Sequence, residues 1–148
     1  MTGEGRRAFL RRGVGLAAGT GALAALAGCT GPSVDNEVRV EAAAYSVTEH
    51  TDWWAGSFAG RASVHVVEGR LRAEAGEPTA PPTVVATYYD AEGAELGTAE
   101  AVVYDDRGRP YGQAGNPLPE SFAPGSVHRF KLSFDPERSV ARYVLRVR

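Results

Sequence analysis

Few side chains in this 148-residue chain could act as nucleophiles, acid–base groups or metal ligands, because it contains one cysteine and three histidines. The histidines, His50, His65 and His128, are widely separated in the sequence. A zinc site needs three or four ligands that converge at about 2 Å, so we interpret all three as surface histidines. Ser126 lies near His128, but no acid that would orient this pair can be identified. No catalytic residue, metal site or cofactor is predicted, and we do not expect an enzyme.

Two groups of carboxylates beside glycines have the residue types of a calcium loop but not its spacing. They lie at residues 90–95, around Gly93, and at residues 105–106, before Gly108. A calcium loop supplies ligands at fixed positions over about twelve residues and closes with a bidentate glutamate. We therefore expect both groups to be solvated turns.

Aromatic residues are the strongest candidates for ligand or partner binding. Trp53, Trp54 and Phe58 lie beside small residues between the first two predicted strands, and Tyr111 lies in a long loop over residues 105–123. A buried tryptophan usually needs a partner for its indole N–H, so one of them could close an end of the fold. Alternatively, one stays exposed as a platform for a sugar or a protein. Loops of this length are uncommon unless they bind something or are disordered.

Cys29 follows a segment with the three parts of a secretory signal. Four arginines within residues 1–12 give a positive start, and residues 13–28 are uncharged and rich in alanine and glycine. A membrane-spanning helix needs about 20 apolar residues, whereas this segment has 16, five of which are glycines. The pattern favours a cleaved signal over residues 1–28 rather than a permanent membrane helix.

Two motifs in this segment resemble known export signals. The residues Arg6, Arg7, Phe9 and Leu10 resemble a twin-arginine export motif, and Leu26-Ala27-Gly28-Cys29 resembles a lipobox. The resemblance implies that the chain folds before export and that a lipid on Cys29 holds it at the extracytoplasmic face of the cell membrane. Two long acyl chains would make detachment negligible. The other interpretation is a small buried cysteine within an ordinary signal.

The charge balance argues against nucleic acid as a partner. The chain has 16 basic and 18 acidic side chains, and residues 29–148 alone have 12 basic and 17 acidic ones. Nucleic-acid binders usually present a basic surface that displaces counterions from phosphates. The acid excess resembles that of secreted lipoproteins of salt-loving archaea.

One β domain is predicted after the signal. Residues 29–36 comprise Cys29 and a short polar tether, and residues 37–148 form the domain. Apolar and polar residues alternate in several windows, which is the period of a half-buried strand, and no window of ten or more shows a helical period. The expected fold class is all-β, an antiparallel immunoglobulin-like β-sandwich of about six to seven strands.

Six strands can be placed individually. In the last of them we expect Tyr143, Leu145 and Val147 to point inward and Val144 outward. Asp90-Ala91-Glu92-Gly93 predicts a hairpin turn between the third and fourth strands. The predicted strands cover residues 37–47, 60–72, 83–90, 95–104, 129–134 and 139–147.

Residues 60–148 resemble the FxLYD domain, a small β-sandwich of secreted and lipid-anchored bacterial and archaeal proteins. Ala86 stands where that family has phenylalanine, and Tyr88 where it has leucine. The resemblance implies the fold but no established activity or catalytic residue. The segments that carry it are Ala86-Thr87-Tyr88-Tyr89-Asp90-Ala91-Glu92-Gly93, Leu96-Gly97-Thr98 and Ala123-Pro124-Gly125-Ser126, followed by Phe130 and Tyr143.

Two non-catalytic function classes remain open, beside an enzyme as a third class that we do not expect. The first is a non-catalytic, lipid-anchored surface module that docks another cell-envelope protein or has a structural role. The second is a lipoprotein that binds a sugar, a peptide or another small molecule through Trp53, Trp54 and Phe58. A β-sandwich does not by itself decide between them.

Overall fold

The computed structural model describes residues 32–56 and 64–148, which form a sandwich of two four-stranded sheets without a helix. The strands are β1 (Asp35–Val40), β2 (Tyr45–Ala55), β3 (Val64–Ala73), β4 (Val84–Tyr89), β5 (Glu95–Glu100), β6 (Val102–Tyr104), β7 (Val127–Phe134) and β8 (Arg142–Val147). The first sheet has the order β1-β8-β4-β5, and the second has the order β2-β3-β7-β6. Neighbouring strands are antiparallel except β1 and β8, which are parallel. The predicted all-β sandwich is confirmed.

Two of the predicted strands each consist of two strands in different sheets. The strand predicted over residues 37–47 ends at Val40, and a turn follows in which Tyr45 N–H donates to the carbonyl of Ala42 (3.0 Å). The strand predicted over residues 95–104 is interrupted at Ala101, where the chain passes from β5 in the first sheet to β6 in the second. These two crossings explain why the described residues contain eight strands instead of six or seven.

The core lies between the two sheets. Tyr143, Leu145 and Val147 are fully buried, as predicted, and burying a side chain of this size contributes about 1.5–3 kcal/mol. Val144 lies on the outer face of β8 but is only 2% exposed. Arg146 lies on that same face, and long arginine side chains cover apolar surface with their stems.

We name the two ends of the sandwich after one residue each. The Pro32 end contains the start of β1, the end of β2 and the hairpin between β4 and β5. That hairpin is the predicted one, and its Gly93 has a φ of 84°, which favours glycine. The Tyr111 end contains the loops 74–83 and 105–126.

Candidate functional site

β2 places the two tryptophans on opposite faces of the second sheet. The loop predicted at this position is in fact a strand, which pairs with β3 as far as Ala55. Successive side chains of a strand point to opposite faces, so Trp53 faces solvent at 38% exposure whereas Trp54 packs against the core. The two rings therefore do not form one binding platform. Phe58, the third residue of the predicted aromatic loop, lies outside the described residues.

Trp54 fixes the segment that precedes β1. Its indole N–H donates to the carbonyl of Pro32 (Nε1–O 3.0 Å), and its ring packs edge-on against His65 with centroids 4.9 Å apart. Val34 is 8% exposed and joins the core. The predicted tether over residues 29–36 is thus part of the sandwich from Pro32 onwards.

His65 is fully buried, which corrects the expectation of a surface histidine. Its Nε2 lies 3.0 Å from Asp52 Oδ2 and its Nδ1 lies 3.4 Å from the hydroxyl of Tyr88, while the Tyr143 hydroxyl donates to Asp52 Oδ1 (3.2 Å). Burial, together with the charge of Asp52, raises the pKa of both tyrosines, so both phenols stay protonated. The cluster satisfies its own polar groups and stabilises the Pro32 end of the core.

The other two histidines are half-buried. His50 lies in β2, not in a loop, and its Nε2 is 3.2 Å from Asn36 Oδ1. Burial lowers the pKa of His50, and the charge of Asp52 opposes this in part. Burial also lowers the pKa of His128, against smaller opposing effects of Tyr104 and Asp106. Neither imidazole is a fully exposed surface group, because each is partly covered by its neighbours.

Tyr111 belongs to an aromatic cluster at the Tyr111 end of the sandwich. Its ring centroid lies 5.8 Å from that of Phe122 and 6.2 Å from that of His128, and Phe122 stacks on His128 at 3.7 Å. Burial raises the pKa of Tyr111. His128 Nε2 also lies 2.9 Å from Ser126 Oγ, but that hydroxyl is 2.6 Å from the carbonyl of Ala123, to which it donates. This arrangement holds the turn before β7.

The carboxylates predicted to be solvated turns do form turns, but their leading aspartates are shielded from solvent. Asp90 is 5% exposed and forms an ion pair with Arg138 (2.6 Å). Burial alone would raise the pKa of Asp105, but hydrogen bonds from Arg109 and from the backbone N–H of Arg107 lower it overall. Within residues 32–56 and 64–148, no group of three or more side chains could hold a metal ion.

Trp53 is part of an outer face of the second sheet whose residues are scattered in the sequence. Lys131 Nζ lies 5.6 Å from the centre of the Trp53 ring, and Arg129 Cζ lies 5.1 Å from the centre of the Tyr104 ring. Such cation–π contacts contribute about 0.5–1 kcal/mol at exposed sites. In the sequence, Arg129 and Lys131 alternate with core residues of β7, which indicates that they point outward. Their aromatic partners could not be predicted in this way, because they come from β2 and β6.

The remaining predicted site residues lie outside the described part of the chain. In residues 32–56 and 64–148, no helix has the length and hydropathy needed to cross a membrane. The residues concerned are the lipidation candidate Cys29 and the export-signal residues Arg6, Arg7, Phe9 and Leu10.

The chain was compared with protein-family models, with curated proteins and with solved structures, and none of these comparisons found a match. The twin-arginine, lipobox and FxLYD resemblances therefore stay predictions.

Proposed function

We propose that this chain is a non-catalytic, lipid-anchored interaction module at the extracytoplasmic face of the cell membrane. The observation that supports the proposal is the hydrogen bond from the indole N–H of Trp54 to the carbonyl of Pro32. Cys29 lies three residues before Pro32, and three residues span at most about 10 Å. A lipid on Cys29 would therefore hold a preformed sandwich close to the bilayer.

The loops at the Tyr111 end support an interaction role. They lie at the opposite end of the sandwich from Pro32, so they point away from the proposed anchor. Leu118 stands between two prolines in this region and is 52% exposed. Proline restricts the backbone, so an exposed leucine in this setting is a pre-organised apolar contact for another envelope protein.

The anchor is tested by the intact mass and the location of the mature protein. We expect a chain that begins at acylated Cys29 and partitions into detergent. Cys29→Ser should remove the lipid and release the protein from carbonate-washed membranes, and replacing Arg6 and Arg7 with lysine should block export. A mature protein that retains residues 1–28 and has a free thiol would contradict the proposal.

The interaction role is tested by purification from mildly solubilised membranes. We expect a specific protein to co-purify with the unmodified chain and to be lost with Leu118→Asp. Val40→Asp is the matched control, because Val40 is similarly exposed, at 41%, but belongs to β1 and not to the loops 74–83 and 105–126. Identical co-purifying proteins in all three samples would count against this use of the Tyr111 end.

The second candidate function, a small-molecule-binding lipoprotein, is favoured by the exposure of Trp53 alone, since Trp54 is turned inward. A sugar or peptide that shifts tryptophan emission in the unmodified chain but not in Trp53→Phe would support it. Emission that is unchanged across a panel of sugars, peptides and metals would exclude Trp53 from such a role.

A further inference from the structure

The outward-facing side chains of β2, β3, β6 and β7 form a surface that we call the basic face. It is the side of the second sheet opposite the core residues Phe130 and Leu132. Five large hydrophobic residues are exposed in the described part of the chain, and three of them, Trp53, Val102 and Val127, are on this face. Their exposures are 38%, 44% and 43%. They are spread along the face, from Trp53 near the Pro32 end to Val127 near the Tyr111 end, so a partner would meet apolar side chains over its whole length.

Charge is distributed unequally between this face and the rest of the domain. The described residues have 11 basic and 17 acidic side chains. The basic face has four of the bases, Arg70, Arg72, Arg129 and Lys131, but two of the acids, both glutamates. A positive face on an otherwise negative body is electrostatically complementary to an anionic partner.

The two glutamates do not neutralise the face strongly. Glu49 pairs with Arg70 (3.0 Å) and Glu68 pairs with Arg129 (3.3 Å), and both arginines are about half exposed. Exposed ion pairs of this kind are easily broken because their net attraction in water is small. The arginines can therefore turn towards an external anion.

Aromatic rings lie beside the cations, with Lys131 over Trp53 and Arg129 over Tyr104. Tryptophan and tyrosine are enriched where a membrane meets water, because their rings suit the headgroup region. Lysine and arginine next to them reach lipid phosphates while their stems stay on apolar surface. The basic face thus combines the residue types of a membrane-surface contact.

The position of the face relative to the N-terminal segment favours a membrane over a soluble partner. Trp53 lies next to Trp54, whose indole N–H holds Pro32. Cys29 is three residues upstream, so an acyl chain on it would enter the bilayer within about 10 Å of this segment. Trp54 is on the core side of β2, opposite Trp53, but β2 is an edge strand of the second sheet. A tether of about 10 Å can therefore pass around this edge, which would bring the anchor and the face to the same membrane surface.

We propose that the basic face binds the anionic headgroups of the membrane that carries the anchor. The inference rests on the proposed function for the location of Cys29, whereas the chemistry of the face is independent of acylation. The contact holds the sandwich with the second sheet against the bilayer and leaves the Tyr111 loops free at its side.

The experiment uses the full chain with vesicles of phosphatidylcholine alone or mixed with phosphatidylglycerol, each with brominated acyl chains that quench tryptophan. We expect quenching and a blue shift of emission in the anionic vesicles only. Trp53→Phe should remove this quenching, because the remaining Trp54 faces the core. Raising the salt concentration to about 1 M should weaken the contact by screening.

The decisive comparison is between two pairs of charge removals. Arg129→Gln with Lys131→Gln should weaken the contact about twenty-fivefold, because each basic residue near an anionic surface strengthens binding about fivefold. The control is Arg39→Gln with Arg142→Gln, which removes the same charge from the first sheet. Arg142 Cζ lies 4.5 Å from the Tyr89 ring centre and so resembles Arg129. We expect the control to keep its quenching.

The proposal would be overturned if both double variants lost quenching equally. It would also be overturned if anionic vesicles did not quench Trp53. A response to soluble polyuronate without a response to vesicles would assign the face to an acidic polysaccharide and would also overturn it. The intact mass of the protein in the same samples shows whether Cys29 is acylated. It therefore separates the hypothesis of a lipid anchor from the hypothesis of a membrane-binding face. Unacylated protein with anion-dependent quenching would reject the anchor alone, and acylated protein without quenching would reject the face alone.

Discussion

At the scale of single residues, His65 illustrates how a polar side chain enters an apolar core. It is fully buried, yet both ring nitrogens lie near polar atoms, from Asp52 and Tyr88. A buried polar group without such partners would cost several kcal/mol. The spacing of His65 from Val67 and Leu71 places it on the inward face of β3, but its partners lie on other strands. The sequence could therefore suggest its direction, although not its contacts.

Replacing His65 with leucine should destabilise the fold by about 2–3 kcal/mol, because Asp52 would lose its buried hydrogen-bond partner. His50→Leu is the matched control, and we expect it to change the free energy of unfolding by about 0.5 kcal/mol or less, since this residue is partly solvated. Urea denaturation monitored by tryptophan fluorescence measures both. Equal effects of the two substitutions would mean that the buried cluster adds no stability of its own.

His128 and His50 should make stability decrease in mild acid. Burial holds the pKa of each below its ordinary value of 6.5, so the unfolded chain binds more protons than the folded chain below that pH. The stabilising contribution is therefore fully present above about pH 6.5 and is lost as the pH falls towards the folded-state pKa values.

Urea midpoints at about pH 7.5 and about pH 5 measure this loss while most carboxylates remain ionised. The double variant His50→Asn with His128→Asn should have a smaller difference between the two midpoints than the unmodified chain. If the difference were the same in both proteins, groups other than these histidines would cause it.

At the scale of strands, alternation of apolar and polar residues was sufficient to predict most elements. It located β3, β4, β7 and β8 closely, because each is a strand with one core-facing side. It did not reveal the crossings after Val40 and at Ala101. Alternation reports which side of a strand is buried, and both sheets bury a side against the same core. A strand that changes sheet can therefore keep its pattern.

Trp54→Phe tests how β1 is attached. The substitution removes the hydrogen bond to Pro32, worth about 1 kcal/mol, while it keeps an aromatic ring against His65. We expect the amide of Asp35, which donates to the carbonyl of Ala141 (3.0 Å), to exchange with solvent about fivefold faster. Hydrogen exchange followed by mass spectrometry measures this rate.

Trp53→Phe is the control for this exchange measurement, because Trp53 lies on the other side of β2 and has no role at Pro32. Its exchange at Asp35 should match that of the unmodified chain. Unchanged exchange in Trp54→Phe would mean that pairing with β8 alone fixes the start of β1.

At the scale of the whole molecule, the proposed binding surfaces were the least predictable feature. The aromatic residues could be recognised in the sequence, and Trp53 and Trp54 were treated as one candidate site because they are adjacent. In a strand, however, adjacent side chains point to opposite faces. Tyr111 does lie in the predicted loop, but its ring packs on Phe122, which the loop assignment alone did not predict. The basic face draws its residues from four strands, so their association depends on strand order, which alternation does not encode.

The parallel pairing of β1 with β8 has a mechanical consequence. Their six residue pairs run from Asp35 and Arg142 to Val40 and Val147. A pull on the chain at Pro32, resisted by something gripped at the Tyr111 end, acts lengthwise along β1. The interstrand bonds would then be sheared simultaneously instead of being unzipped singly. A domain attached through its first strand in this way would resist a pulling force that is large enough to separate the strands of a hairpin.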